Sequence, residues 1–169
     1  MDSTTLREIQ APLKEQYRSD PASAVITLRA AGSLDAQNIA CKIETGRAIA
    51  MAGLHPATGG TGMELCSGDM LLEALVACAG VTLKSVATAI DIPIRSGTVR
   101  AEGDLDFRGT LAVSREAPVG FSAIRLSFEL DTDAPPEKLA TLLKLTERYC
   151  VVLQTLRTTP TVEAKIVGQ

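Results

Sequence analysis

The sequence predicts an α+β domain, and three observations carry that reading. A segment around residues 69–90 is apolar on nearly every side, as a central buried helix must be. Residues 98–108 and 124–130 alternate apolar and polar side chains with a period of two, the pattern of an antiparallel sheet with one covered face. The predicted order of strands, helix, strands, helix and strand separates the two element types, unlike alternating βαβ units. With 169 residues, 46% hydrophobic and 22% charged, the chain can bury one sizeable core and has no composition of disorder. A single domain over 1–169 is expected, with 1–22 as a helical N-terminal extension.

From the N-terminus, Leu6, Ile9, Leu13 and Tyr17 fall near helical spacing over residues 3–18, with Pro12 interrupting and Asp20-Pro21 closing the segment. Residues 24–30 read as a strand, followed by a turn at Gly32-Ser33. Residues 39–44 and 48–51 flank Thr45-Gly46-Arg47 and form a predicted hairpin with Arg47 at its tip. Residues 53–68 hold five glycines and read as a surface loop. They contain neither Gly-Lys-Ser/Thr nor a GxGxxG opening a helix, so no phosphate cradle is expected.

Ser67 is the predicted N-cap of the apolar helix, Asp69 complements its dipole, and Asp91-Ile92-Pro93 stops it. In the strands, Val99, Ala101, Leu105 and Phe107 oppose Arg100, Glu102, Asp104, Asp106 and Arg108. Ile124, Leu126, Phe128 and Leu130 likewise oppose Arg125, Ser127 and Glu129. Residues 133–136 start a second helix whose inner stripe is Leu139, Leu142, Leu143 and Thr146. Residues 161–167 read as a closing strand.

Aromatics at 3%, no tryptophan and a net charge of −3 argue against nucleic-acid partners, which need stacking platforms or basic surfaces. The N-terminus has no signal-like apolar run, and the longest strictly apolar stretch, within 74–81, is far short of a membrane span. A cytoplasmic protein with reduced thiols is expected. No CxxC occurs and His55 is the only histidine, so neither a metal site nor a cofactor is expected.

The chemistry-bearing residues are then the cysteines at 41, 66, 78 and 150. Only a thiolate is an effective nucleophile, and an unperturbed thiol is roughly 3% ionised at pH 7. Cys78 lies too far along its helix for that dipole to help, and burial raises a thiol's pKa. A reactive Cys78 therefore requires an external cation, for which Arg47 is the best-placed candidate; without one, Cys78 is inert packing. Spacing leaves both readings open. Cys41 reads as strand packing, Cys66 as a loop thiol and His55 as a residue that orders its loop.

The segments 67–78, Ser-Gly-Asp-Met-Leu-Leu-Glu-Ala-Leu-Val-Ala-Cys, and 147–152, Glu-Arg-Tyr-Cys-Val-Val, resemble the two cysteine motifs of the OsmC/Ohr family of osmotically inducible and organic-hydroperoxide-resistance proteins. Glu102-Gly103-Asp104-Leu105-Asp106 and Gly120-Phe121 between them are similar as well, so the resemblance spans roughly residues 38–167. It implies an OsmC-like fold, with antiparallel sheets around a central buried helix in an intertwined homodimer. It also implies a thiol peroxidase in which Cys78 attacks an organic hydroperoxide, Cys150 resolves the sulfenic acid to a disulfide, and an external dithiol of lipoyl type reduces it. The family's arginine corresponds most nearly to Arg47. Two departures stand out: Gly68 occupies the place of a family glutamate, leaving Asp69 and Glu64 as the nearest acids, and Val151 replaces a proline. Asp69, Glu64 and, among the apolar residues near Cys78, Leu75 are the candidate substrate-binding residues. The alternative is a non-enzymatic member binding an apolar or electrophilic small molecule at the dimer interface.

Overall fold

The structure, a computed structural model, describes residues 2–5, 7, 8, 10, 11, 19, 31–34, 40–44, 49–112 and 114–168. Strands β1 (Ala31–Leu34), β2 (Ala40–Glu44), β3 (Ile49–Gly53) and β4 (Leu65–Cys66) form one sheet in that order. The predicted hairpin is present: β2 and β3 pair antiparallel from Ala40↔Gly53 to Glu44↔Ile49. Arg47 and the strand predicted over 24–30 lie outside the described residues. Gly32 and Ser33, expected in a turn, instead sit inside β1, opposite Ile43 and Lys42. Pairing with a neighbouring strand overrides their local turn preference. In the N-terminal segment, residues 3–5, 7, 8, 10 and 11 are helical.

The glycine-rich loop carries one short helical turn, Pro56–Thr58, whose N-cap is His55. The His55 Nδ1 accepts from the Ala57 N–H at 3.0 Å, and its ring stacks on Phe107 at 4.8 Å, so the histidine does order the loop. β4 then runs parallel to β3 and delivers the chain to α1 (Ser67–Ala89). Cys66, not Ser67, occupies the N-cap position and makes no side-chain capping bond; Asp69 is in the first turn as expected.

Helix α1 buries one stripe: Leu75, Ala79, Leu83, Val86 and Ala87. Its opposite face leaves Val81 73% exposed. The helix ends where Asp91 takes a left-handed φ of 55° and the Ile92 N–H closes on the Ala87 carbonyl at 2.8 Å. Aspartate tolerates that backbone better than most residues, and Pro93 prevents continuation.

Strands β5 (Ser96–Leu105) and β6 (Phe121–Asp131) form an antiparallel ribbon with Val99↔Phe128 and Ala101↔Leu126 in register. β5 stops before Phe107, which begins α2 (Phe107–Thr110), because the Asp106 carboxylate caps that turn through the Arg108 N–H. Gly103 permits the ribbon's close packing, since a Cβ there would sit 2.5 Å from the Phe121 ring. The outer face carries ion pairs of Arg95 with Asp131 and Asp133, Arg100 with Glu129, and Arg125 with Glu102 and Asp104.

Helix α3 (Pro136–Tyr149) packs Leu142 and Thr146 inward, while Leu143, expected on that stripe, is 45% exposed. α4 (Val151–Arg157) follows after a single residue. Residues 161–167 are not a strand; Val162, Ile166 and Val167 are exposed, and no neighbouring strand among the described residues pairs with them. Alternation alone does not make a strand without a partner ladder. The core divides along α1. Leu83, Val86, Ala87, Ile92 and Leu142 form one cluster, and Leu75, Ala79 and Cys150 form the other.

Candidate functional site

The second core cluster is where two sequence-distant thiols meet. Cys78 is carried near the middle of α1, half-buried, on the edge of the stripe that faces α3 and α4. Cys150 is the single residue joining α3 to α4. Its N–H donates to the Thr146 carbonyl and its carbonyl accepts from the Gln154 N–H, each at 2.9 Å, so it belongs to the ladders of both helices. Its side chain is fully buried against Leu75 and Ala79. The sharp turn at Cys150 points the first amides of α4 into this cluster. Those N–H groups have no partner within their own helix and are free to serve an acceptor there.

Burial pushes the Cys78 thiol up, but four donors outweigh it: the Val152 N–H, the Cys150 thiol, the Val151 N–H and the Thr82 hydroxyl. The net effect holds Cys78 below the usual thiol range. Cys150 moves the opposite way. Burial is the main cause, opposed by the Leu153 N–H, and the neighbouring Cys78 adds to it. The pair is thus polarised, with Cys78 the more readily ionised sulfur and Cys150 the protonated partner that donates to it. Cys66, Cys78 and Cys150 are all free thiols.

The donors that hold Cys78 low are neutral: two amides, a thiol and a hydroxyl. Arg47 lies outside the described residues. Asp69 is about two and a half turns from Cys78, some 13 Å along α1 and on its opposite side. It lines a separate cleft of about 190 Å³ with His55, Cys66, Gly68 and Phe121. Glu64 precedes α1 altogether, its carboxylate accepting from the Thr61 hydroxyl at 2.8 Å. Leu75 adjoins the thiol pair as a fully buried wall. Of the six residues singled out, the structure brings together Cys78, Cys150 and Leu75.

Sequence reasoning missed the amides of Val151 and Val152 and the hydroxyl of Thr82. Backbone donors leave no trace in residue identity, but Thr82, four positions after a candidate nucleophile on a helix, was a signal available in advance. A cleft of about 390 Å³, lined by neither Cys78 nor Cys150, is walled by Ile124, Leu126, Phe128, Leu153 and Leu156. These residues also pack in the Cys150 cluster. The Glu147–Arg157 ion pair, 2.8 Å apart, also lines the cleft.

Comparison with known proteins agrees with this arrangement of elements. A family model described as OsmC-like protein matches residues 60–165. No curated protein matches the chain by sequence. An OsmC-like protein from Mycoplasma pneumoniae superposes with a TM-score of 0.66 at 15% identity, covering 79% of this chain and 89% of its own. An organic hydroperoxide resistance protein OsmC from Legionella pneumophila gives 0.61 at 16%, covering 79% and 91%. An organic hydroperoxide resistance protein from Elizabethkingia anophelis gives 0.62 at 16%, covering 80% and 91%. At these identities the likeness is one of fold.

Proposed function

The chain belongs to the OsmC-like protein family, and from that premise we propose that it is a thiol-dependent peroxidase reducing organic hydroperoxides. The observation that carries this reading is the polarised contact of Cys78 with Cys150, two thiols seventy-two positions apart in sequence.

In this mechanism the Cys78 thiolate attacks the outer oxygen of the hydroperoxide. The O–O bond breaks, an S–O bond forms, and the leaving alkoxide takes a proton to become an alcohol. Cys78 is then a sulfenic acid, oxidised by two electrons. Cys150 gives up its proton and attacks that sulfur; an S–S bond forms, the S–O bond breaks and water leaves. An external dithiol of lipoyl type returns two hydrogens by exchange and restores both thiols. The fully buried position of Cys150 keeps the second thiol from bulk oxidant until its partner has reacted. The apolar side chains packed around the thiol pair, Leu75, Val99, Leu126 and Leu153 among them, suit an alkyl tail better than hydrogen peroxide.

The working form in this reading is a cytoplasmic homodimer. Apolar side chains left uncovered on the single chain support it, with Met63 88%, Val81 73% and Val119 66% exposed. Arg47 remains the arginine expected to reach the site.

Intact mass after one equivalent of an organic hydroperoxide tests the activity. Loss of two hydrogen atoms, reversed by a dithiol, is expected. Persistent free thiols in folded protein would refute the peroxidase and favour a module that binds its ligand without turnover.

A further inference from the structure

We propose that Glu147, Gln154 and Arg157 form a clamp that positions the Cys150 thiol against Cys78 by fixing the angle at which α3 meets α4. The inference rests on the two cysteines acting as a redox pair and adds positioning residues that work through the backbone of Cys150.

Cys150 is the single residue between two helices, so the direction of its side chain follows from the angle between them. The α3 ladder makes its last bond from the Cys150 N–H to the Thr146 carbonyl, at 2.9 Å. The next carbonyl along, that of Glu147, would take the Val151 N–H if the helix continued straight. The chain turns first, α4 starts at Val151, and the Gln154 side-chain amide donates to the Glu147 carbonyl at 2.7 Å. Further along α4, the Arg157 guanidinium donates to the Glu147 carboxylate at 2.8 Å. One residue of α3 therefore holds α4 at two points. Those points, Gln154 and Arg157, are three residues apart and share a helix face.

A helix of seven residues cannot hold its own direction, so tertiary contacts must set that of α4. Val152, Leu153 and Leu156 pack in the cluster that contains Cys150, with Cys78 against the same cluster. Apolar contact draws α4 inward but is non-directional, so it leaves the helix free to tilt. Hydrogen bonds constrain angle as well as distance, and the clamp supplies two of them. Its ion pair is half-exposed, with side chains 39% and 51% exposed, so its weight in global stability is small. Disulfide closure is far more demanding, because the sulfurs must reach about 2 Å with a defined dihedral. The clamp should therefore matter to pairing more than to folding.

The test is the equilibrium of the full chain with glutathione. Two protein thiols and one glutathione disulfide give the Cys78–Cys150 disulfide and two glutathione thiols, so two hydrogens pass from protein to glutathione. Acid quenching, alkylation and peptide mass spectrometry read the oxidised fraction. The double variant Gln154→Ala with Arg157→Met removes both anchors and leaves both cysteines in place. Its equilibrium constant for closure is expected to be about fivefold smaller than the parent's, the equivalent of one net hydrogen bond. Arg100→Met is the control: it breaks an ion pair with Glu129 that is also exposed but lies on the outer face of the ribbon, and it should match the parent. If the double variant does not fold, as judged by circular dichroism, Gln154→Ala alone takes its place, with a smaller fall expected. An unchanged constant in the clamp variant would overturn the proposal, as would an equal fall in Arg100→Met or a parent that forms no Cys78–Cys150 disulfide. The assay uses no peroxide. A parent that consumes no hydroperoxide while the clamp variant still closes less readily refutes the peroxidase and leaves the clamp standing.

Discussion

Replacing Val151 with proline deletes one amide donor from Cys78 while leaving the backbone almost undisturbed. Val151 is the first residue of α4, where proline's fixed φ is well suited and the missing N–H breaks no helical bond. Cys150, preceding it, has φ −73° and ψ 107°, an extended conformation compatible with a following proline. The valine side chain is 70% exposed, so little packing is lost. What remains is the loss of one N–H facing the sulfur. A hydrogen bond to a charged acceptor contributes about 1.5–3 kcal/mol, but sulfur is a diffuse acceptor and the site is half-open, so about 1 kcal/mol is the reasonable expectation. That is roughly a fivefold fall in the thiolate population below the midpoint. The assay is iodoacetamide alkylation of Cys78 across pH. The rising limb should move to higher pH, and the high-pH plateau should stay level or rise slightly, because a less acidic thiol gives a more nucleophilic thiolate. A folded Val151→Pro protein with an unmoved profile would refute the assignment of α4's amides as the source of the Cys78 charge preference.

Three further outcomes follow from the same geometry. Cys150→Ser should leave peroxide-treated Cys78 as a sulfenic acid trappable by dimedone, progressing to over-oxidation; an unmodified Cys78 would contradict the assigned roles. Thr146 is fully buried with its hydroxyl unpartnered, so Thr146→Val should raise stability by about 1 kcal/mol in urea unfolding, and a loss would show that the hydroxyl has a hidden partner. On the ribbon's outer face, Asp104, Asp131, Asp133 and Glu129 are held below the usual carboxylate range by hydrogen bonds to Arg125, Arg95 and Arg100. Their contribution is complete above the ordinary carboxylate pKa and is lost as pH falls through the lowered values. Acid melting should therefore show a destabilisation that 1 M salt diminishes, since all these groups are exposed.

How far the fold can be read in the sequence depends on which physical signal each element carries. The ribbon was legible because β5 and β6 each have one solvated face, so alternation marks them directly. α1 was legible because an apolar run bounded by an acid at its start and Asp-Ile-Pro at its end admits few other readings. β1 was not, because Gly32 and Ser33 are held in a strand by pairing with β2 and not by their own preferences. Residues 161–167 show the converse, a strand-like alternation with no ladder to join. At the site, the meeting of Cys78 and Cys150 came from resemblance, since nothing in their spacing requires it. Val151 is the most instructive case. Measured against the family's proline it registered as a departure, whereas in the fold its amide N–H is a donor that proline could not provide. Which donors surround a sulfur depends on the direction of α4, and that direction is set by the bend at Cys150.

The most direct test of the account is peptide mapping under non-reducing conditions after a single equivalent of organic hydroperoxide. A cross-link joining the peptide of Cys78 to that of Cys150, abolished by a dithiol, is the predicted result. A cross-link through Cys66, or a Cys78 sulfinic acid beside an untouched Cys150, would contradict it.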